Sequence, residues 1–517
     1  MQVNQPDSSS RRVFLQRSAQ LAFTGVALPT ALNLAAMGDA AAFNAPAGSY
    51  KALVCVFLYG GSDYANTVVT YDDASYNAYN TIRGGGANQT AGGIAFAKTA
   101  LTPTLLAPTT QLPNAREYAF HPAMTGLAGL FNTGKAAVQL NVGPLVVPLT
   151  KAQYSSSNRT LYPLPPKLFS HNDQQSLWQS SSPEGSTVGW GGNIGDLALS
   201  SNTRSVYTCI SITGNSVFLG GDSALAYQVS TGGAVKINCV LNNVYGSANV
   251  KTAINQLVQQ QSSHILENEY NIVTSRAIGA EGTITSSIAS GQAADGAGSS
   301  TTAGVGTFLP FTSTVLSGNS LAQQLKMVAR LIAARNSLGA KRQVFFVSLG
   351  GFDLHDKLLV GQNTNMTNLN NALTAFYQTT VNLGVADLVT SFTASDFGRT
   401  LTSNGDGSDH GWGSHHIVVG GAGAVKGKEF YGYAPPVSVT DTASANDQWH
   451  VGQGRLLPTT SVDQYAATLA TWFGVNPIPP AVGALSELDE ILPNLRNFGS
   501  TVGSISYPKN MGFMQAP

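Results

Sequence analysis

Four of the eight histidines in the chain, His355, His410, His415 and His416, fall with Asp353, Asp396 and Asp409 between residues 353 and 416. Asp and Glu together number only 27 in 517 residues, so carboxylates and imidazoles gathered around glycine turns stand out from a weakly charged background. Hard divalent ions take carboxylate oxygens, and imidazole nitrogen suits zinc. Asp353-x-His355 and Asp409-His410-Gly411-Trp412-Gly413-Ser414-His415-His416, joined by Asp63 and Asp396, supply enough groups for two ions. Two ions about 3.5–4 Å apart activate one oxygen and stabilise the leaving oxygen in phosphoryl transfer. The competing reading is a hydrogen-bonded polar cluster that folds a glycine-rich loop, because buried charges need partners.

Such a hydrolase also needs a group that attacks, or that orients water. Ser170-His171-Asn172-Asp173 precedes Gln174-Gln175-Ser176-Leu177-Trp178, where a helix can start and its amides can face an anion. Ser170 is therefore the candidate nucleophile. The alternative is that Ser170 only caps the helix, and that His171 with Asp173 is the functional pair. Arg399 can clamp an anionic oxygen bidentately, or form a salt bridge to Asp396.

The elements that must position these residues alternate between strand and helix. Residues 51–58 are a continuous apolar run of strand length that ends in Tyr59-Gly60-Gly61-Ser62-Asp63. Leu321, Leu325, Val328, Ile332 and Ala333 keep helical spacing, and a strand over 343–349 then runs into Gly350-Gly351-Phe352-Asp353-Leu354-His355. Thr367 is placed to cap a helix bearing Leu369, Leu373, Phe376, Tyr377 and Val381 on one face, followed by a strand over 387–394 and Ser395-Asp396-Phe397-Gly398-Arg399. This pattern predicts an α/β fold with a parallel sheet covered on both faces. Ligands bind beyond the carboxyl ends of such strands, where Asp63, Asp353 and Asp396 all lie. Residues 200–250 read as a small β-rich lid or side sheet. Residues 282–307, nearly all Gly, Ala, Ser and Thr, read as a flexible insertion. Ser461-x-x-Gln464 has capping-box spacing and opens a helix with Tyr465, Leu469, Trp472 and Phe473, whose aromatics belong to the core.

The formal net charge is zero, so no basic field exists to hold nucleic acid or anionic lipid. Cys55, Cys209 and Cys239 are too few for a disulfide framework; buried free thiols are expected, with a Cys209–Cys239 pair as the alternative. At the N-terminus, Ser10-Arg11-Arg12-Val13-Phe14-Leu15-Gln16 precedes an apolar run from Leu21 to Met37 and then Asp39-Ala40-Ala41-Ala42. This resembles a twin-arginine export signal, residues 1–42, with cleavage near Ala42. Pro29 and Asn33 interrupt a run already shorter than the roughly 20 apolar residues of a membrane span. The expectation is a periplasmic or secreted protein that meets the twin-arginine translocase during export, with no membrane contact after cleavage.

Six segments together resemble the bacterial "domain of unknown function 1501" family: Gly60-Gly61-Ser62-Asp63-Tyr64-Ala65-Asn66-Thr67, Ser170-His171-Asn172-Asp173-Gln174, Gly350 to His355, Ser395-Asp396-Phe397-Gly398-Arg399-Thr400, Asp409 to Gly413, and Pro458 to Tyr465. The resemblance spans nearly all of residues 47–517. It implies a three-layer sandwich similar to the alkaline phosphatase and sulfatase superfamily, with a two-metal site built on strand-end aspartates and histidines. In that comparison Asp63 looks like the first-strand metal aspartate, Asp353 and His355 like paired ligands, and His415 or His416 like the late histidine. The superfamily follows the aspartate corresponding to Asp396 with histidine. Here Phe397 stands there, so a ligand comes from Asp409 or His410 or is missing. The activity implied is hydrolysis of a small anionic ester, phosphate or sulfate, with two divalent ions among zinc, magnesium, manganese and calcium. The alternative is a non-enzymatic periplasmic or surface protein that keeps the fold and a structural ion.

Overall fold

The computed structural model describes residues 49–84, 93–294, 309–481 and 483–517. Residues 1–42, expected as an export signal, lie outside the described residues, as does the part of the expected 282–307 insertion beyond residue 294.

Among the described residues, ten strands make the main sheet: β1 (Lys51–Leu58), β2 (Ala136–Gly143), β3 (Cys209–Ser211), β4 (Tyr227–Ser230), β5 (Gly233–Ala234), β6 (Arg342–Leu349), β7 (Val389–Ser395), β8 (Ser414–Gly420), β9 (Phe430–Tyr431) and β10 (Thr460–Ser461). Their spatial order is β9-β2-β8-β7-β1-β6-β3-β4-β5, with β10 also paired to β2. The pairings of β1 with β6 and β7, of β3 with β6 and β4, and of β2 with β9 and β10 are parallel. Strand β8 runs against both neighbours, and β5 runs against β4.

Successive side chains of a strand point to opposite faces. Along β1, Ala52, Val54, Val56 and Leu58 enter one core, whereas Leu53, Cys55 and Phe57 enter the other. The first core is closed by helices α1 (Thr125–Asn132), α4 (Ile265–Ala294), α5 (Ser320–Ala333) and α6 (Leu358–Asn382). The second is closed by α2 (His171–Ser180), α3 (Trp190–Ala198) and α7 (Val462–Phe473). A strand with no polar face must be covered on both sides, and three layers result. Asn319 caps α5 through the Ala322 amide at 3.0 Å, and Ser461 with Gln464 forms the expected capping box of α7.

Several boundaries differ from the sequence reading. Helix α6 begins at Leu358, and Thr367 lies within it, its hydroxyl bonded to Asn363 O. Val381 is exposed. Residues 386–388 form a short 3₁₀ turn ahead of β7. Strands β3, β4 and β5 extend the edge of the main sheet; they are not a separate sheet. Residues 282–294 complete α4, and Ile284 and Ile288 are buried in the first core. Two isoleucines four residues apart share a helix face, so a helix started upstream carries them inward despite their polar neighbours. Cys55 and Cys209 are buried, Cys239 is partly exposed, and all three are free thiols. Among the described residues, no helix is long and apolar enough to cross a membrane.

The register decides where the chemistry can sit. Leu58 pairs with Leu349 on one side and with Ser395 on the other, so three consecutive parallel strands end level. The segments 59–63, 350–355 and 396–399 therefore leave the sheet at one edge. Because β8 is antiparallel, its preceding loop, with Asp409 and His410, enters at that same edge.

Candidate metal centre at the carboxyl edge of the sheet

Three imidazoles and one carboxylate converge at this edge, and each imidazole is held from behind by its Nδ1. His171, the first residue of α2, has Nδ1 at 2.7 Å from Asp396 Oδ2. Asp396 is fully buried and also receives Gln175 Nε2 at 2.8 Å and the Gly60 amide at 3.2 Å. Gln175 reaches the same oxygen because it lies one turn beyond His171 on the helix. A carboxylate only accepts, so His171 Nδ1 donates, and Nε2 is left facing Asp353 Oδ2 at 3.4 Å. The hydrogen bond to Asp396 raises the His171 pKa above its ordinary value.

His410 Nδ1 donates to the Phe169 carbonyl at 2.8 Å. Phe169 is held at φ 72°, a conformation rarely adopted by a bulky L residue. Burial lowers the His410 pKa, so its Nε2 presents a lone pair. That atom lies 3.0 Å from His355 Nε2 and 3.3 Å from Asp353 Oδ1. His355 Nε2 is 3.0 Å from the same Asp353 oxygen, and its Nδ1 faces Asp409 Oδ1 at 3.3 Å. Asn404 Nδ2 fixes that Asp409 oxygen at 2.8 Å. His171, Asp353 and His410 each offer one ligand atom, all within 4.8 Å of one another.

Arg399, fully buried, spans the base of the centre, donating to Asp353 Oδ1 at 2.7 Å and Gly60 O at 3.1 Å, and to the Ser408 carbonyl and hydroxyl. Burial opposes the Asp353 charge, but the Arg399 guanidinium outweighs it and holds that carboxyl below its usual range. The glycines around the centre allow this closeness. A Cβ on Gly60 (φ 116°) would lie 2.4 Å from the Asp353 amide, and one on Gly407 would lie 2.1 Å from the His355 carbonyl carbon.

The site expectations divide accordingly. Asp353, His355 and His410 meet in the cluster, and His171, expected in a catalytic role, presents a ligand atom there. Asp396 and Asp409, expected as ligands, orient His171 and His355 from behind. Arg399, expected as an anion clamp, spends most of its donors on protein acceptors, and its carboxylate partner is Asp353, not Asp396. Asp63 caps the short helix Tyr64–Thr67, and both its oxygens are taken by the buried Arg83 guanidinium, at 2.6 and 2.8 Å. Arg83 also donates to Leu401 O and Thr400 O at 3.0 Å. His415 and His416, being consecutive in β8, face opposite sides of the sheet. His415 Nδ1 accepts from the Asn141 amide at 3.0 Å, and its ring meets Tyr64. His416 lies between Trp178 and Tyr465, with Thr393 Oγ1 3.2 Å from its Nδ1. Ser170 is the N-cap of α2 by position, yet its side chain makes no capping bond; the hydroxyl donates to Asp173 Oδ2 at 2.9 Å. Asp173 is buried, with Lys167 Nζ 3.6 Å away.

The two core histidines carry a pH prediction. Burial drives both pKa values down to about 3, so they are neutral in the folded protein. Unfolded, each protonates near 6.5, so stability is complete above about pH 6.5 and falls as pH drops toward the folded value. Each should cost about 2 kcal/mol by pH 5. Urea unfolding between pH 8 and 5 is expected to show this decline, and His416→Phe is expected to lessen it by about 2 kcal/mol. An identical pH slope in the variant would show that His416 takes up protons within the fold.

Reading the sequence missed Gln175, Arg83 and the Phe169 carbonyl as partners. For Gln175 the signal existed, in its i, i+4 spacing from His171. Backbone carbonyls leave none.

The fold and centre define a three-layer α/β protein with a histidine–aspartate cluster at the carboxyl edge of a mostly parallel sheet. The chain belongs to the family described as Protein of unknown function (DUF1501), whose signature matches residues 50–475. No curated protein matches it.

Proposed function

We propose that this protein is an exported metal-dependent hydrolase of phosphate or sulfate esters, with an alkaline-phosphatase-like fold and one divalent ion on His171, Asp353 and His410, beside His355. One observation carries the reading. His410 Nε2 and His355 Nε2 face each other at 3.0 Å, while both Nδ1 atoms face groups that can only accept. Two lone pairs and a carboxylate oxygen this close repel unless a cation or a shared proton lies among them. Within the proposed ligand set, His410 Nε2 and His171 Nε2 lie 3.3 and 3.4 Å from the Asp353 carboxylate oxygens, separations that suit donors around one ion. Bonds of about 2.0–2.1 Å place neighbouring donors about 2.9–3.4 Å apart. The backing of each imidazole by an acceptor is the arrangement that fixes ligand tautomers in metal sites. Two ions were expected from the sequence; one is proposed, because Arg83 supplies the positive charge at Asp63 and His415 and His416 serve the cores.

When bound, the ion would polarise an ester oxygen and offset charge on the leaving oxygen. Ser170, next to His171, attacks phosphorus or sulfur. Its proton passes to Asp173, the ester bond breaks with its electron pair on the alcohol oxygen, and that oxygen takes a proton from solvent. Water then hydrolyses the serine ester. The second reading, a non-enzymatic hydrogen-bonded cluster, is favoured by the Arg399 contact on Asp353, which already neutralises one carboxylate.

Elemental analysis of protein purified without chelator is expected to find one divalent ion per chain. Hydrolysis of p-nitrophenyl phosphate or p-nitrophenyl sulfate should stop with chelator and return with metal, and Ser170→Ala should keep the ion and lose turnover. Protein that binds no divalent ion and hydrolyses neither ester would favour the second reading.

A further inference from the structure

Beside the centre stands a second guanidinium, and unlike that of Arg399 its terminal nitrogens have no protein acceptor among the described residues. Arg455 follows three consecutive left-handed residues, Gly452 (φ 93°), Gln453 (φ 52°) and Gly454 (φ 70°). The turn is rigid. Arg455 N bonds Gly452 O at 2.9 Å, Tyr64 Oη bonds Gly454 O at 2.8 Å, and a Cβ on Gly454 would lie 2.3 Å from Leu401 Cβ. The side chain is anchored as well: Nε donates to the His410 carbonyl at 2.7 Å, and the guanidinium lies 5.4 Å over the Phe169 ring. Phe169 in turn holds His410 Nδ1. Both contacts tie Arg455 to a proposed ligand, and Asp409 interacts with it electrostatically.

The charge balance points to the kind of occupant. The centre sets three carboxylates, Asp353, Asp396 and Asp409, against two guanidiniums, Arg399 on Asp353 and Arg455 near Asp409, so a divalent ion leaves it with surplus positive charge that favours an anion. A guanidinium fixed through Nε presents its remaining N–H groups in one plane, the geometry that matches two oxygens of a tetrahedral oxyanion.

We propose that Arg455 forms the oxyanion subsite of this centre, its Nη groups binding two non-bridging oxygens of a phosphate or sulfate group next to the ion. This rests on the metal-dependent ester reading above and assigns to Arg455 the anion-binding role expected of Arg399. Lysine cannot replace it fully, since an ammonium lacks both the Nε anchor and the planar fork.

The test is calorimetric titration of metal-loaded, full-length protein with inorganic phosphate and with sulfate, for wild type, Arg455→Lys and Arg455→Gln. Arg455→Gln is expected to weaken binding about 10–100-fold, and KM for p-nitrophenyl phosphate to rise with it, while bound metal and melting temperature hold. Arg455→Lys should recover part of the loss. Undiminished phosphate affinity in both variants would overturn the subsite and leave the metal centre standing. Loss of metal from Arg455→Gln would also overturn it, since Arg455 would then only brace His410. Metal-loaded wild type that binds neither anion would overturn the ester reading itself.

Discussion

Replacing His410 with alanine should lower divalent-metal affinity at least about 100-fold and abolish ester hydrolysis, leaving the fold intact. Losing a group that hydrogen-bonds a metal ligand from behind costs about 10–100-fold, so loss of a ligand itself sets a larger effect. The bond it breaks, from Nδ1 to Phe169 O, is only partly buried, and water can replace the donor. Gln175→Leu, which removes one of the donors on Asp396, should cost about 10-fold. Asp353→Asn, the obvious charge-removing change, is a poorer probe, because it strips the carboxylate from the buried Arg399 and disturbs the fold. His264→Ala, at an exposed position, is the control and should change nothing. Metal affinity that survives both His410→Ala and His171→Ala would end the metal reading.

Arg83→Met should destabilise the protein by about 3–5 kcal/mol, because it leaves the Asp63 carboxylate buried without a counter-charge. The Leu401 and Thr400 carbonyls lose donors in the same step. Pairing it with Asp63→Asn should recover much of the loss, since replacing a whole buried ion pair is often close to neutral. Denaturant unfolding of the two single variants and the double variant measures the coupling. The folded fraction of Asp63→Asn should keep its metal. Metal lost from that variant without loss of stability would instead make Asp63 a ligand.

These two pairs of residues also mark how far the sequence could be read. The apolar runs, two of them ending in Gly-Gly turns and the third in Ser395-Asp396, located three strands and the edge where Asp353, Asp396 and His410 gather, because uninterrupted burial and strand ends both leave local signatures. What stayed hidden was partnership across the chain. Nothing near Asp63 announces Arg83, and nothing near His410 announces the carbonyl of Phe169. His415 and His416 sat beside the right loop, but strand alternation sends them into the cores. The polar composition around Ile284 concealed a buried helix face for a related reason: burial follows spacing, and composition averages it away.

The central position of β1 has a consequence for synthesis. Among the strands of the main sheet it is the first to leave the ribosome, yet both its neighbours come much later: Tyr50, just ahead of it, hydrogen-bonds Gln343, 293 residues on. At about 5–20 residues per second the wait is roughly 15–60 s. Throughout it, a strand of Val, Leu, Phe and Cys has no sheet to join, and closing so long a loop must precede any gain from pairing. The nascent chain therefore passes through a long interval in which this apolar, strand-forming segment needs shielding. Closure of the sheet around β1, and the assembly of the centre on it, waits on the synthesis of β6, β7 and β8.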